Sequence, residues 1–304
     1  MIRTIAAHQV LSLRRQRVFA AAVGVLAAVT VLAGVLGWSS HRTIIGVYDE
    51  AVKLLASREL AAPPNPFLLK PALSMLSNME IYVTLFGALV AIVIGHLILV
   101  DDEISGIGRL VFSRQVGRRS YVVGKMSAAA VVLGLSMIVC TSISVAALLV
   151  INHSLRAADL SRLVGFYSLS FLYLMVFALV GMVGVLVTRR RSVALLSALG
   201  CWLVITFVLP QFTSGLRPST ALNPVIDPVS TSQTFFRATA RARPYSIAEQ
   251  FKEAAGRILR TAPSEPAAVT ARRILPIIAV LLLLVVMTMW LVDRHDFSRS
   301  VPGE

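Results

Sequence analysis

Six runs of the chain, at residues 18–38, 81–100, 126–151, 164–187, 193–210 and 274–292, contain no Asp, Glu, Lys or Arg. An apolar helix needs roughly 20 residues to cross the ~30 Å hydrocarbon core of a bilayer. No water is available there for exposed backbone groups, so a spanning segment must bond its own N–H and C=O groups, as a helix does. The expected fold class is therefore all-α integral membrane, with six transmembrane helices in one domain spanning 1–304. Charged residues make up 14 % of the chain, against about 25 % in soluble domains. The first run is longer than the roughly 7–15 apolar residues of a signal peptide and no A-x-A site follows it, so it reads as a retained anchor.

The net charge of +14 has a different meaning in lipid than in water. Lys and Arg gather at anionic headgroups, which makes membrane lipids, and not nucleic acid, the expected partners of this charge. Arg3, Arg14, Arg15 and Arg17 precede the first span. Arg109, Arg114, Arg118, Arg119 and Lys125 lie between the second and third. Arg189, Arg190 and Arg191 divide the fourth from the fifth, and Arg294 and Arg299 follow the sixth. The positive-inside rule then puts both termini in the cytoplasm, with Arg14, Arg15, Arg17 and Arg189, Arg190, Arg191 as membrane-interface anchors. Residues 211–273 run against this trend with nine Lys and Arg, but loops of about 60 residues translocate largely regardless of charge. Residues 1–17 mix Ile2, Ile5, Leu11 and Leu13 with Arg and Gln, the composition of a helix lying in the headgroup plane.

Two segments fall on the outer side. Residues 39–80 contain "APPNPFLLKP", which cannot continue a helix. Residues 211–273 open on "LNPVIDPVS" and then hold an amphipathic helix. Ser246 and Glu249 form a capping-box pattern, Ile247, Phe251, Ile258 and Leu259 follow at helical spacing, and Pro263 closes the run. The apolar face needs a cover: its own loop, the membrane surface, the other outer segment or a partner docked on Phe251 and Ile258.

Catalytic patterns are missing. No H-E-x-x-H, paired-cysteine or G-x-S-x-G motif occurs, and Cys140 and Cys201 fall in apolar runs, as buried small residues do. Gly124–Lys125 is followed by Met126, and Arg119 stands where a P-loop needs its first glycine. The chain is thus read as non-catalytic, without a metal or nucleotide of its own. His96 is the one histidine within a span. Met75, Met79, Met175 and Met182 suit gap-filling in apolar helices.

The most patterned polar segment is "DDEISGIGRLVFSRQVGRRSYVVGK", residues 101–125. Acids end the second span, Gly106 and Gly108 permit a bend, and "RLVFSRQV" can form a short helix along the inner surface. Here the chain resembles the permease subunits of type-2 ABC transporters, the ABC-2 family. Members have a basic interfacial helix, six spans and, after the second span, an acid, Gly-Thr, a Pro-Val-Ser-Arg-like step and Gly-Lys. The matching positions are Asp102 or Glu103, Gly106, Val116, Arg118, Gly124 and Lys125. Ile107, Gln115 and Gly117 depart from the usual Thr, Pro and Ser.

The resemblance implies a permease subunit of the bacterial cytoplasmic (inner) membrane, paired with a second permease chain and with a cytosolic ABC ATPase dimer that binds the ATP and Mg. Residues 101–125 would seat a coupling helix in the ATPase, through Asp102, Glu103, Gly106, Gly108, Arg109, Leu110, Phe112, Arg114, Arg118 and Lys125. ATP hydrolysis would drive export or transmit force across the membrane. Some members, including the permease linked to copper maturation of nitrous-oxide reductase, work with a periplasmic protein, and the outer segments suit such docking. The competing readings are a scaffold for a periplasmic partner and a secondary transporter. The latter wants midplane polar residues and internal repeats.

Overall fold

The structure is a computed structural model that describes residues 2–15, 17–58, 72–104, 117–152, 155–188, 190–214, 234–261 and 266–294. Among the described residues there are helices and no strands. Helix α1 (Ile2–Arg15) precedes α2 (Val18–Ala56). The second span enters through a 3₁₀ turn (Ala72–Leu76), then α3 (Asn78–Tyr82), a π-turn (Val83–Gly87) and α4 (Ala88–Ile104). Helices α5 (Arg118–Asn152) and α6 (Ala157–Val187) follow. The fifth span comprises α7 (Arg191–Leu203), a second π-turn (Val204–Val208) and α8 (Leu209–Ser214). Then come α9 (Thr234–Thr239), a 3₁₀ turn (Ala240–Tyr245), α10 (Ile247–Ile258) and α11 (Ala267–Arg294).

Six helices are long and apolar enough to cross a membrane, and they match the six uncharged runs one for one. The expected all-α, six-span class is what the chain forms. Alternate passes leave α1, the end of α4, the start of α5 and the end of α11 at one end of the bundle, called here the terminal end. The ends of α2, α5 and α8, together with α10, lie at the far end. Hydroxyls inside the spans bond back to the carbonyl four residues earlier: Thr30 to Leu26 at 2.7 Å, Ser136 to Val132 at 2.8 Å and Ser170 to Phe166 at 2.9 Å. Such bonds let polar side chains sit in lipid with their donors satisfied.

Several boundaries differ from those expected. Helix α2 does not stop at residue 38 but continues to Ala56, 39 residues in all. At 1.5 Å per residue that is about 58 Å, well beyond the hydrocarbon core, because nothing in "SSHRTIIGVYDEAVKLLA" breaks a helix. The segment expected as a loop at 101–125 is narrower, since α4 runs to Ile104 and α5 starts at Arg118. The proline-rich stretch "APPNPFLLKP" lies outside the described residues. Cys140 is buried, whereas Cys201 is exposed on the outer face of the fifth span, so the expectation of two buried thiols holds only for the first.

Helix α6 is the axis. Its most apolar window is 72 % buried and that of the second span 67 %, against 11 % for α11. Tyr173, Phe177, Leu174 and Phe166 on α6 have no accessible surface. The second span packs onto it backbone to backbone. A Cβ at Gly95 would collide with the carbonyl oxygen of Ala178, and one at Gly181 with the carbonyl oxygen of Ile92. Close approach of this kind is how helices associate in lipid, where apolar burial alone gives no net drive.

Gly95→Val and Gly181→Val are expected to cost about 3 kcal/mol each by forcing α4 and α6 apart. Gly24→Val, where an added Cβ meets nothing within 4 Å, is expected to be silent. Thermal unfolding of the purified chain in detergent distinguishes them; equal midpoints for all three would refute the packing argument.

Candidate functional site

The two ends of the bundle carry different polar constructions. At the terminal end, α1 lies across the first turns of α5. Gly124 makes room for Ile5, whose side chain would stand 2.8 Å from an added Cβ. Beside it Lys125 is buried under α1, donating from Nζ to Gln9 Oε1 at 2.5 Å and lying 5.2 Å from the Tyr121 ring centre. Leu13 and Gln9 are the buried residues of α1. The corner into α2 is made by Arg17, whose φ of 61° is a left-handed conformation uncommon for a residue with a Cβ.

On the other side of α5, Arg118 donates to the Asp293 carbonyl at 3.0 Å. Arg119 forks onto the Asp293 carboxylate through Nε at 3.0 Å and Nη2 at 2.6 Å. These groups are exposed, so their value is positional. The start of α5 is thereby tied to α1 on one side and to the end of α11 on the other.

Of the residues expected to contact an ATPase, Arg118 is at the surface and Lys125 faces inward. Asp102 and Glu103 belong to the last turn of α4. Gly106, Gly108, Arg109, Leu110, Phe112 and Arg114 lie outside the described residues. Arg14, Arg15, Arg17 and Arg190 are exposed around the same end, Arg191 is half-buried, and Arg189 lies outside the described residues.

At the far end α10 plugs the bundle. Ile247, Phe251, Ala254, Ala255 and Leu259 are buried. The Phe251 ring stacks on Tyr173, with centres 4.4 Å apart and planes 25° apart, and Phe166 is 6.5 Å away. Ile258 rests against Gly165. The cover of this amphipathic face is thus the fourth span, a surface not among the four expected, and Phe251 has no accessible surface left for a partner. Ser246 takes the N-cap position with extended backbone but makes no side-chain bond to the first-turn N–H groups. Its hydroxyl is buried and makes no hydrogen bond. The helix stops by a Schellman closure before Pro263: Thr261 N–H bonds to the Gly256 carbonyl at 2.8 Å and Arg260 N–H to the Arg257 carbonyl at 3.1 Å. Arg260 takes the left-handed position, φ 58°, where glycine is usual.

Under α10 sits a buried charge cluster. Glu249 accepts from the Thr213 hydroxyl at 2.5 Å and lies 3.9 Å from Arg243 Nε. Lys252 lies between Glu80, at the mouth of the second span, and Glu249. Glu253 holds Arg243 Nη2 at 2.6 Å and also Arg273. Burial pushes the Glu249 carboxyl above its ordinary 4.5, against the hydrogen bond from Thr213. Burial likewise lowers Lys252 from 10.5, although both carboxylates favour its charge.

Below the cluster the two π-turns face each other. Trp202, just before the second, donates from Nε1 to the Thr84 carbonyl in the first at 3.1 Å. A π-turn releases carbonyls from the regular ladder, and the indole takes one of them. Sequence reading did not find Glu80, Lys252 or Thr213. Glu249 signalled only a helix start, and a lone acid at a span mouth resembles an ordinary flank.

A helical bundle with six helices able to cross a membrane is the architecture of a multi-pass membrane protein. The family model described as "ABC-2 family transporter protein" matches residues 3–297. The chain belongs to the ABC-2 family and is a permease subunit of an ABC transporter. No curated protein matches it. Such permeases are typically non-catalytic membrane subunits that work, in general, with an ABC ATPase and in a dimeric arrangement.

The raised Glu249 carboxyl has a testable sign. The folded state holds this proton more tightly than the unfolded state, so stability falls as pH rises from 4.5 through the raised folded value and is level above it. Glu249→Gln is expected to make that slope shallower, read as unfolding midpoint against pH; the remainder belongs to Glu80, whose carboxyl burial pushes up to about 7. Parallel profiles would contradict the assignment. Lys252→Met leaves Glu80 without Lys252 and Glu249 with Arg243 alone, and is expected to cost about 3 kcal/mol, checked in the same assay.

Proposed function

We propose that the chain is the membrane half of an ATP-driven transporter of the bacterial inner membrane, moved by a separate cytosolic ATPase dimer that docks on residues 101–125. The terminal end then faces the cytoplasm, a second permease chain completes the membrane part, and ATP and Mg stay with the ATPase. The observation that carries this reading is the anchoring of α5 between α1 and α11. A displacement of the start of α5 would be felt by two helices at once, through Lys125–Gln9 and Arg119–Asp293. Closure of the ATPase pair would bias the bundle between two packings, with export or force transmission as the output.

A second reading, docking of a periplasmic protein, is favoured by the part of α2 that projects past the far end. Val47 and Leu54 there are 63 % and 65 % exposed. The two readings are compatible, since a force transmitter needs something to act on.

The complex purified with its ATPase is expected to lose transporter-dependent ATP turnover when Gly106 and Gly108 are both replaced by Pro, with the amount of membrane-inserted chain unchanged. Asp293→Ala should lower the same turnover while leaving the ATPase bound. Purified complexes that never contain an ATPase would sink the proposal, and transport that survives ATP depletion but collapses with the proton gradient would replace it by a secondary transporter.

A further inference from the structure

The buried charge cluster is a seam between separate elements. Glu80 comes from α3, Thr213 from α8 and Arg243 from the 3₁₀ turn at Ala240–Tyr245, while Glu249 and Lys252 belong to α10 and Ser246 is its N-cap. The seam is short of hydrogen bonds for the charge it holds. Glu80 Oε2, Glu249 Oε1 and the Ser246 hydroxyl are buried without a hydrogen-bond partner. Lys252 is the charge that acts on Glu80, and α2, which also packs against α3, adds none among the described residues. Glu249 is faced by the same Lys252, by Arg243 and by the Thr213 hydroxyl. Glu253 holds Arg243 and Arg273 on the outer side.

Solution comes close to this seam. Between α10, the 3₁₀ turn and the first turns of α11 lies an open groove of about 1100 Å³, with Arg243, Gln250, Glu253 and Arg273 among its walls. Tyr245 stands at its rim, 80 % exposed. Arg243 belongs both to the groove and to the seam, where its Nε lies 3.9 Å from Glu249. The groove thus brings the far-end solution to the edge of the buried cluster.

A carboxylate with an unbonded buried oxygen is costly while charged, and that cost disappears when the covering helix lifts and water reaches it. Protonated, the same group stays buried at little penalty. We propose that α10 is a proton-controlled plug: protons on Glu80 and Glu249 hold it seated on the fourth span, and their loss releases it toward the solution at the far end. Burial raises both carboxyls, Glu80 to about 7 and Glu249 above its ordinary 4.5, against the attraction of Lys252. The seated state binds these protons more tightly than the lifted one. Seating is therefore strongest below about pH 4.5, weakens as pH rises through about 7, and is then level. Lys252, lowered from 10.5 by burial, acts in the opposite sense at the alkaline end. This inference does not rest on the ATPase reading and is tested on the chain alone.

The test is hydrogen–deuterium exchange of the full chain in detergent, followed from about pH 5 to pH 8. Rates are converted to protection factors, so that the intrinsic pH dependence of amide exchange cancels and local opening is read directly. The amides of α10 are expected to lose protection by roughly tenfold or more across that range, while those of residues 173–178 in α6 keep theirs. Glu80→Gln should remove most of the loss, Glu80→Asp should keep it, and Glu80→Gln with Glu249→Gln should leave α10 protection level with pH. Level protection in the wild-type chain overturns the proposal without recourse to any variant. A loss of equal size in α6 overturns it too, since the whole bundle and not the plug would then be opening. So does a slope in α10 that survives the double substitution.

Discussion

The contact between the second and fourth spans, with Gly95 against Ala178 and Gly181 against Ile92, is the one on which the rest of the bundle depends. In water a helix pair is held by expelling solvent from its apolar faces. In lipid that term vanishes, and close backbone approach with many dispersion contacts takes its place. Glycine on both helices permits the approach. Once α4 and α6 are fixed, α6 becomes a buried axis and the remaining spans need only lean on it. That explains why the windows of the other four are mostly exposed to lipid or to further protein.

This asymmetry has a mechanical consequence. A rigid central pair surrounded by loosely buried helices can change shape by moving the outer helices without breaking its core. The polar ties sit where such motion must be controlled. At the terminal end they join α5 to α1 and α11. At the far end they join α10 to the mouths of the second and fifth spans through Lys252, Glu80, Glu249 and Thr213. The far-end ties are buried and hold charges that burial disfavours, so the plug is costly to leave half-formed. The terminal-end ion pair is exposed, a hinge that can re-form at little energy.

How much of this could be read in the sequence follows from the physics of each feature. The six spans were legible because an uncharged run is a local property. That residues 2–15 form a helix and that α10 is amphipathic were legible for the same reason, through local composition and periodicity. Where α2 and α5 end or begin was not, because a helix continues until something stops it, and polar residues alone do not. The cover of α10 was misjudged because Phe251 pairs with Tyr173, 78 positions away in the chain, and no local pattern marks that stacking. Lys125 was read as part of a surface motif. Its burial depends on Gln9 arriving from α1, again a long-range fact.

One discrepancy in the sequence then finds a physical account. Residues 211–273 carry nine Lys and Arg on the side that the positive-inside rule would leave poor in them. Five of the nine, Arg243, Lys252, Arg257, Arg272 and Arg273, belong to the α10 cluster or to the groove beside it. Arg243, Lys252 and Arg273 face Glu80, Glu249 or Glu253, acids of the same end. A cation held by a neighbouring carboxylate presents little net charge to the membrane, and so carries little information about which side it lies on. The positive-inside rule counts residues, whereas the bilayer responds to net field. At the far end three of the nine, Arg243, Lys252 and Arg273, are used in this way to hold a helix in place.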